Sequence, residues 1–149
     1  VVTDRSDRNL NSLIDLLTQE RREAVIAQHY LPEIVQGDKR ILLFDGEAVG
    51  AMMRIPGDSD HRGNMHVGAR VAATELSHAD RRIVQTLAPH LKKHGLLFVG
   101  IDVIGDKLTE INITSPTGIQ EINRLDGVRL EADLVDRVVS AHAARQENA

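Results

Sequence analysis

The chain has 149 residues, 42% of them hydrophobic, and a formal net charge of -4. That length supports one compact domain with its own core, and the negative balance argues against a polyanion-binding surface, so no nucleic acid is expected as a partner. No cysteine is present, which excludes a disulfide framework and a thiolate metal site, and the three aromatic residues (Phe 2, Tyr 1) offer no base-stacking platform.

No apolar run approaches the length of a membrane span and no signal peptide opens the chain, so a cytoplasmic protein without a membrane partner is expected. The sequence starts at Val1 rather than Met, compatible with a processed end or a missing first half.

In chain order, Leu10, Leu13, Ile14 and Leu17 recur at helical spacing and predict an amphipathic helix over residues 10–20. Residues 23–31 (EAVIAQHYL) read as a short buried strand ended by Pro32. RILLF (40–44) and EAVGAMMRI (47–55) flank Asp45-Gly46, a strong two-residue hairpin signal. Residues 55–70 contain three glycines and no sustained period, so a long loop is expected; such loops are usually functional or disordered.

Ser77, with Asp80 three residues later, starts a second helix carrying Ile83, Leu87 and Leu91 on one stripe, and Pro89 should kink it. Residues 96–113 form a second hairpin. A polar connection follows, then a closing helix over 128–145 with Leu130, Leu134, Val138 and Val139 on one side. The expected fold is α/β (α+β), a mainly antiparallel sheet covered by helices.

The second hairpin, FVGIDVIGDKLTEIN, places Asp102, Glu110 and Asn112 inside apolar strands. A two-residue turn at Gly105-Asp106 sets Asp102 across from Thr109, on the opposite face from Glu110. A three-residue turn, Gly105-Asp106-Lys107, pairs Ile104 with Leu108 and Asp102 with Glu110. Only the latter sorts Val99, Ile101, Val103, Ile111 and Ile113 onto one face, leaving Gly100, Asp102, Glu110 and Asn112 on the other.

Two carboxylates directly opposite on a sheet repel, and a divalent cation would compensate them. Hard oxygen donors point to Mg²⁺ or Mn²⁺, with Gly100 leaving room for a ligand. A solvated face bearing two acids is the competing reading of the same spacing.

AQHYLP, GDKRILLFDGE, RIP, HRGN and FVGIDVIGDKLTEINITSPTG, in that order and over nearly the whole chain, resemble the bacterial glutathione synthetases, members of the ATP-grasp ligases. The resemblance implies the C-terminal half of an ATP-grasp: residues 1–31 end its small subdomain and form the adenine-side hinge, and residues 32–149 form its core with a mobile lid at 55–70. It implies ATP as co-substrate, Mg²⁺ or Mn²⁺, and ligation of glycine to γ-glutamylcysteine through an acyl phosphate. A homo-oligomer is implied for the full-length protein.

By the same resemblance, Asp102, Glu110 and Asn112 match magnesium ligands; Gln28, His29, Tyr30 and Leu31 match the segment lying against adenine; and Asp38 matches a position near the ribose. Arg40 and Arg54 match arginines facing phosphates. Arg62 and Asn64 match lid residues that close over the site, and Ser115, Thr117 and Arg70 match substrate contacts. His29 stands where relatives often have Asn, and Ala69 where a second glycine is usual. Phosphate-binding lysines expected upstream find no counterpart, since residues 1–27 hold no lysine. Another ATP-grasp peptide ligase, or a non-catalytic nucleotide-binding module, are the alternatives.

Overall fold

The computed structural model describes residues 3–57 and 70–147. Two compact units divide the chain, Val1–Pro32 and Glu33–Ala149.

In the first unit, helix α1 spans Leu10–Leu17, shorter than the expected 10–20. It stops because Gln19, Glu20 and Arg21 all take positive φ, incompatible with helix continuation. The strand expected at 23–31 does not form: residues 24–31 have no regular structure and Val25 and Ile26 are exposed. Apolar composition alone makes no strand; it needs a neighbouring ladder, and none of the sheet's pairings includes this segment.

A 3₁₀ turn, Pro32–Gln36, starts on the last residue of the first unit, and the second unit builds a five-stranded antiparallel sheet. Its strands are β1 (Asp38–Phe44), β2 (Glu47–Ile55), β3 (Arg70–Ala73), β4 (Phe98–Ile104) and β5 (Lys107–Asn112), ordered β3-β2-β1-β4-β5. The edge strand β3 carries no sequence signal beyond four residues and was not expected.

On one face, Ile41, Leu43, Ala51, Val99, Ile101 and Val103 pack against α2 (His78–Lys93). Ser77 and Asp80 form the expected capping box, and the helix runs on through Pro89. On the other face, Leu42, Phe44 and Met52 pack against Ile122 of α3 (Ile119–Asp126) and Leu130 of α4 (Leu130–Glu147).

Helix α3 stands where a polar connection was expected. Ile119, Ile122 and Leu125 give it one apolar edge, and Gly127 ends it in the left-handed conformation at φ +68°. In α4, Leu130 and Leu134 reach the core, whereas Val138 and Val139 are exposed, so the expected stripe is buried only in its first turns. Among the described residues no helix is long and apolar enough to cross a membrane.

Candidate active site

Two β-bulges create the site. The Asp45-Gly46 turn pairs Phe44 with Glu47 and Leu43 with Ala48; the register then shifts so that Leu42 meets Gly50. That shift absorbs Val49. Without it, Arg40 and Arg54 would face opposite sides; with it, Arg40 pairs with Met52 and Asp38 with Arg54, and all four side chains emerge on the α3/α4 face.

The second hairpin uses the same device. Its turn is two residues long, pairing Ile104 with Lys107 and Val103 with Leu108, not Ile104 with Leu108. A shift between Asp102 and Val103 then takes up Thr109 and sets Asp102 opposite Glu110. The expected face is correct, but a bulge produces it rather than a three-residue turn. Thr109 Oγ1 donates to the Asp102 carbonyl at 3.0 Å, tying down the residue the bulge leaves over.

β1 lies between β2 and β4, with Arg40 directly across from Asp102. Arg40 Nε reaches Asp102 Oδ1 at 2.5 Å and Nη2 reaches Oδ2 at 2.8 Å, a bidentate pair buried on both sides. Arg54 Nη2 approaches Asp102 Oδ2 at 3.0 Å, and Arg54 also donates through Nε and Nη2 to Asp38 Oδ2. Asp38 Oδ1 is buried without a hydrogen-bond partner.

Burial alone would raise the Asp102 carboxyl, but the Arg40 hydrogen bond and the charge of Arg54 overcome it and hold it below the usual carboxylate range. Burial works equally against the Arg54 charge. Asp38 and Asp102 outweigh it, leaving the guanidinium more basic than an ordinary arginine.

In this chain two guanidinium groups meet the Asp102 charge, and Glu110 is exposed. One expectation is corrected, because Gly100 leaves no room for a ligand: a Cβ there would lie 2.7 Å from Pro116 Cβ and 3.4 Å from Arg40 Cδ. Its missing side chain is filled by the loop that follows β5.

That loop carries the expected substrate residues. Thr117 accepts from Arg40 Nη1 through its carbonyl oxygen at 3.0 Å and its Oγ1 at 3.5 Å, while Ser115 is exposed at φ +46°. Ser115 and Pro116 also line an open concavity of about 370 Å³ with Leu96, Leu97, Phe98 and Ile113.

Asn112 follows Glu110 on the same face, its Nδ2 3.5 Å from Asp102 Oδ2. Arg70 pairs with Ile55 and therefore lies on the opposite face from Arg54. Gln28, His29 and Tyr30 are exposed and Leu31 half-buried in the first unit. Arg62, Asn64 and nearly all of the expected lid lie outside the described residues.

The fold is that of the ATP-grasp ligases. A D-alanine–D-alanine ligase from Bacillus anthracis, solved with ATP, superposes with a TM-score of 0.59 at 13% identity, over 96% of this chain and 50% of that one. Another structure of the Bacillus anthracis ligase gives 0.53 at 15% identity, over 99% and 51%.

Residues 1–127 match the ATP-grasp domain of prokaryotic glutathione synthetase. The glutathione synthetase of Thermosynechococcus vestitus is 58% identical over 83% of this chain, and that of Agrobacterium fabrum 51% identical over 90%. The chain belongs to the prokaryotic glutathione synthetase family. It spans 39% and 42% of the lengths of those two relatives.

Proposed function

We propose that this chain forms part of an ATP-dependent carboxylate–amine ligase that joins glycine to γ-glutamylcysteine through an acyl phosphate. The observation that carries the reading is the constellation on one sheet face: two arginines converge on Asp102, with Glu110 and Asn112 across the adjoining strand. Membership of the glutathione synthetase family selects this chemistry among those an ATP-grasp fold supports.

The donor set suits a hard divalent cation, Mg²⁺ or Mn²⁺. Asp102, Glu110 and the Asn112 side-chain carbonyl supply oxygen only, and the Glu110 side chain is exposed on that face. Bound there, the cation supplies positive charge to the oxygens of a transferring phosphate.

The chain's own residues do the rest. Arg40 and Arg54, each held here by carboxylates, bring positive charge to the face where a phosphate transfers and charge develops. The backbone of Gln28, His29, Tyr30 and Leu31 lies against adenine, and Asp38 sits near the ribose. Arg40 holds the Thr117 carbonyl, so the loop bearing Ser115 and Thr117 is positioned by the residue that faces phosphate. Ser115 and Thr117 contact the peptide substrate, whereas Arg70, on the opposite sheet face, does not join them. The reading implies a cytoplasmic, homo-oligomeric enzyme.

Calorimetric titration of Mg²⁺-ADP into the chain tests it. Binding should require Mg²⁺ and disappear in an Asp102→Ala, Glu110→Ala double variant. Glu110→Gln, altering only an exposed side chain, should weaken binding with melting unchanged. Binding indifferent to Mg²⁺ and to both variants would remove the site. ADP release that depends on both γ-glutamylcysteine and glycine tests the ligase step.

A further inference from the structure

Four donors converge on the Asp102 carboxylate. Arg40 Nε takes Oδ1, while Arg40 Nη2, Arg54 Nη2 and Asn112 Nδ2 surround Oδ2 at 2.8, 3.0 and 3.5 Å. Each carboxylate oxygen offers about two lone-pair positions, so Oδ2 is crowded by three donors while Oδ1 takes only Arg40 Nε. The ionic charges also cancel: Asp38 and Asp102 balance Arg40 and Arg54. A divalent cation approaching from the Glu110 side meets two guanidinium groups and a carboxylate whose Oδ2 is already crowded.

The two arginines are not held alike. Arg40 grips Asp102 with two nitrogens, bonds the Thr117 carbonyl and is walled in by the backbone at Gly100 and Gly118. Arg54 touches Asp102 through one nitrogen, is the more exposed, and has Asp38 as a second carboxylate. Arg54 can therefore leave Asp102 without becoming an unpaired charge, whereas Arg40 cannot.

We infer that Asp102 is an exchange ligand: Arg54 occupies it in the metal-free chain, and a divalent cation binding with Glu110 and Asn112 displaces Arg54, which stays on Asp38 and turns its free nitrogen toward an incoming anion. Cation binding and the exposure of a phosphate-binding arginine are then one event. The proposal rests on the metal reading above and adds an order to it: cation before a fully formed anion site.

The test is Mn²⁺ binding to the intact chain, followed by the paramagnetic resonance signal of free Mn²⁺, in four forms: unaltered, Arg54→Gln, Asp102→Asn and the double variant. Removing the competitor should tighten Mn²⁺ binding by about tenfold when Asp102 is present and leave it unchanged in the Asp102→Asn background.

Equal tightening in both backgrounds would mean that Arg54 acts through charge alone, and would overturn the exchange. So would Mn²⁺ affinity that depends on Glu110 but not on Arg54. No Mn²⁺ binding by any form, with Glu110→Gln also silent, would overturn the metal reading and the exchange together. A measurement without Asp102 variants guards against misfolding. In the unaltered chain, the Arg54 Nη–H resonances should move on addition of Mg²⁺, because Nη2 is the nitrogen that leaves Asp102; stationary Arg54 Nη signals beside saturable Mg²⁺ binding would overturn the exchange.

Discussion

Arg40 and Asp102 face each other across the central strand pair β1–β4, sixty-two positions apart in sequence, and meet through two parallel hydrogen bonds of 2.5 and 2.8 Å. Each is almost wholly buried, Arg40 at 5% and Asp102 at 3% exposure. Neither would be tolerated there alone, because an unpaired buried charge costs several kcal/mol.

Asp102→Asn removes that partner from two guanidinium groups at once. It should destabilise the chain by about 3 kcal/mol, the usual penalty for breaking a buried pair. For a chain of this size that lowers the melting temperature by roughly 10 °C. A calorimetric melt within 2 °C of the unaltered protein, a margin of about half a kcal/mol, would show that water compensates the arginines instead.

Acid should unfold the chain through the same group and through Asp80. Burial raises both carboxyls, but Arg40 and Arg54 at Asp102, and Lys39 and Ser77 at Asp80, overcome it and leave both below the ordinary range. A depressed folded value means that the unfolded chain binds more protons. Their stabilisation is thus complete above the unfolded value of about 4 and is lost as pH falls through the lower folded value. Melting temperature should be insensitive to these groups between pH 6 and 8 and drop below about pH 4. An acid limb unchanged in Asp102→Asn would assign the effect elsewhere.

Gly100→Ala tests the loop's hold on the site. The new methyl would stand 2.7 Å from Pro116 Cβ, so the loop carrying Ser115 and Thr117 must move. Overpacking of this kind costs about 2 kcal/mol. The Arg40–Thr117 bond should break while the Arg40–Asp102 pair survives, giving weaker Mg²⁺-ADP binding in a chain that still folds. Unchanged binding would disconnect the loop from the arginine.

Lys39, between Asp38 and Arg40, points to the other face and reaches Asp80 at 2.6 Å, where the same carboxylate oxygen caps α2 through Ser77. Asp80→Ala should cost about 3 kcal/mol, combining a lost cap with an unpaired lysine. In a double-mutant cycle with Lys39→Met the two losses should fail to add by at least about 1 kcal/mol. Additive losses would mean that β1 and the start of α2 are not coupled through this pair.

Much of this architecture could be read in advance wherever the signal is local. Asp45-Gly46 announces the first hairpin and Ser77 with Asp80 the start of α2, because turn and cap chemistry act over two to four residues. The requirement that Ile101 and Val103 share a buried face with Val99 was enough to bring Asp102 opposite Glu110, although the turn length inferred from it was wrong. Two residues, Val49 and Thr109, made the difference, each absorbed by a bulge. Nothing local distinguishes a longer turn from a short turn plus a bulge, since both preserve the alternation beyond it.

Residues 23–31 looked like a strand from composition and are not one; RVAA, of which only Arg70 fell in the expected loop, drew no strand assignment and is β3. A strand is defined by its partner, and the partner is distant in the chain.

By itself, then, the sequence determined the class of fold, the family, the hairpins and the face on which the polar residues gather. Only the tertiary structure decided what neutralises them. Asp102 finds its counter-charges on β1 and β2, and Asp38 finds Arg54 across a bulged register. Propensity and periodicity report on neighbours along the chain, whereas a counter-ion is whatever the closed sheet brings within about 3 Å.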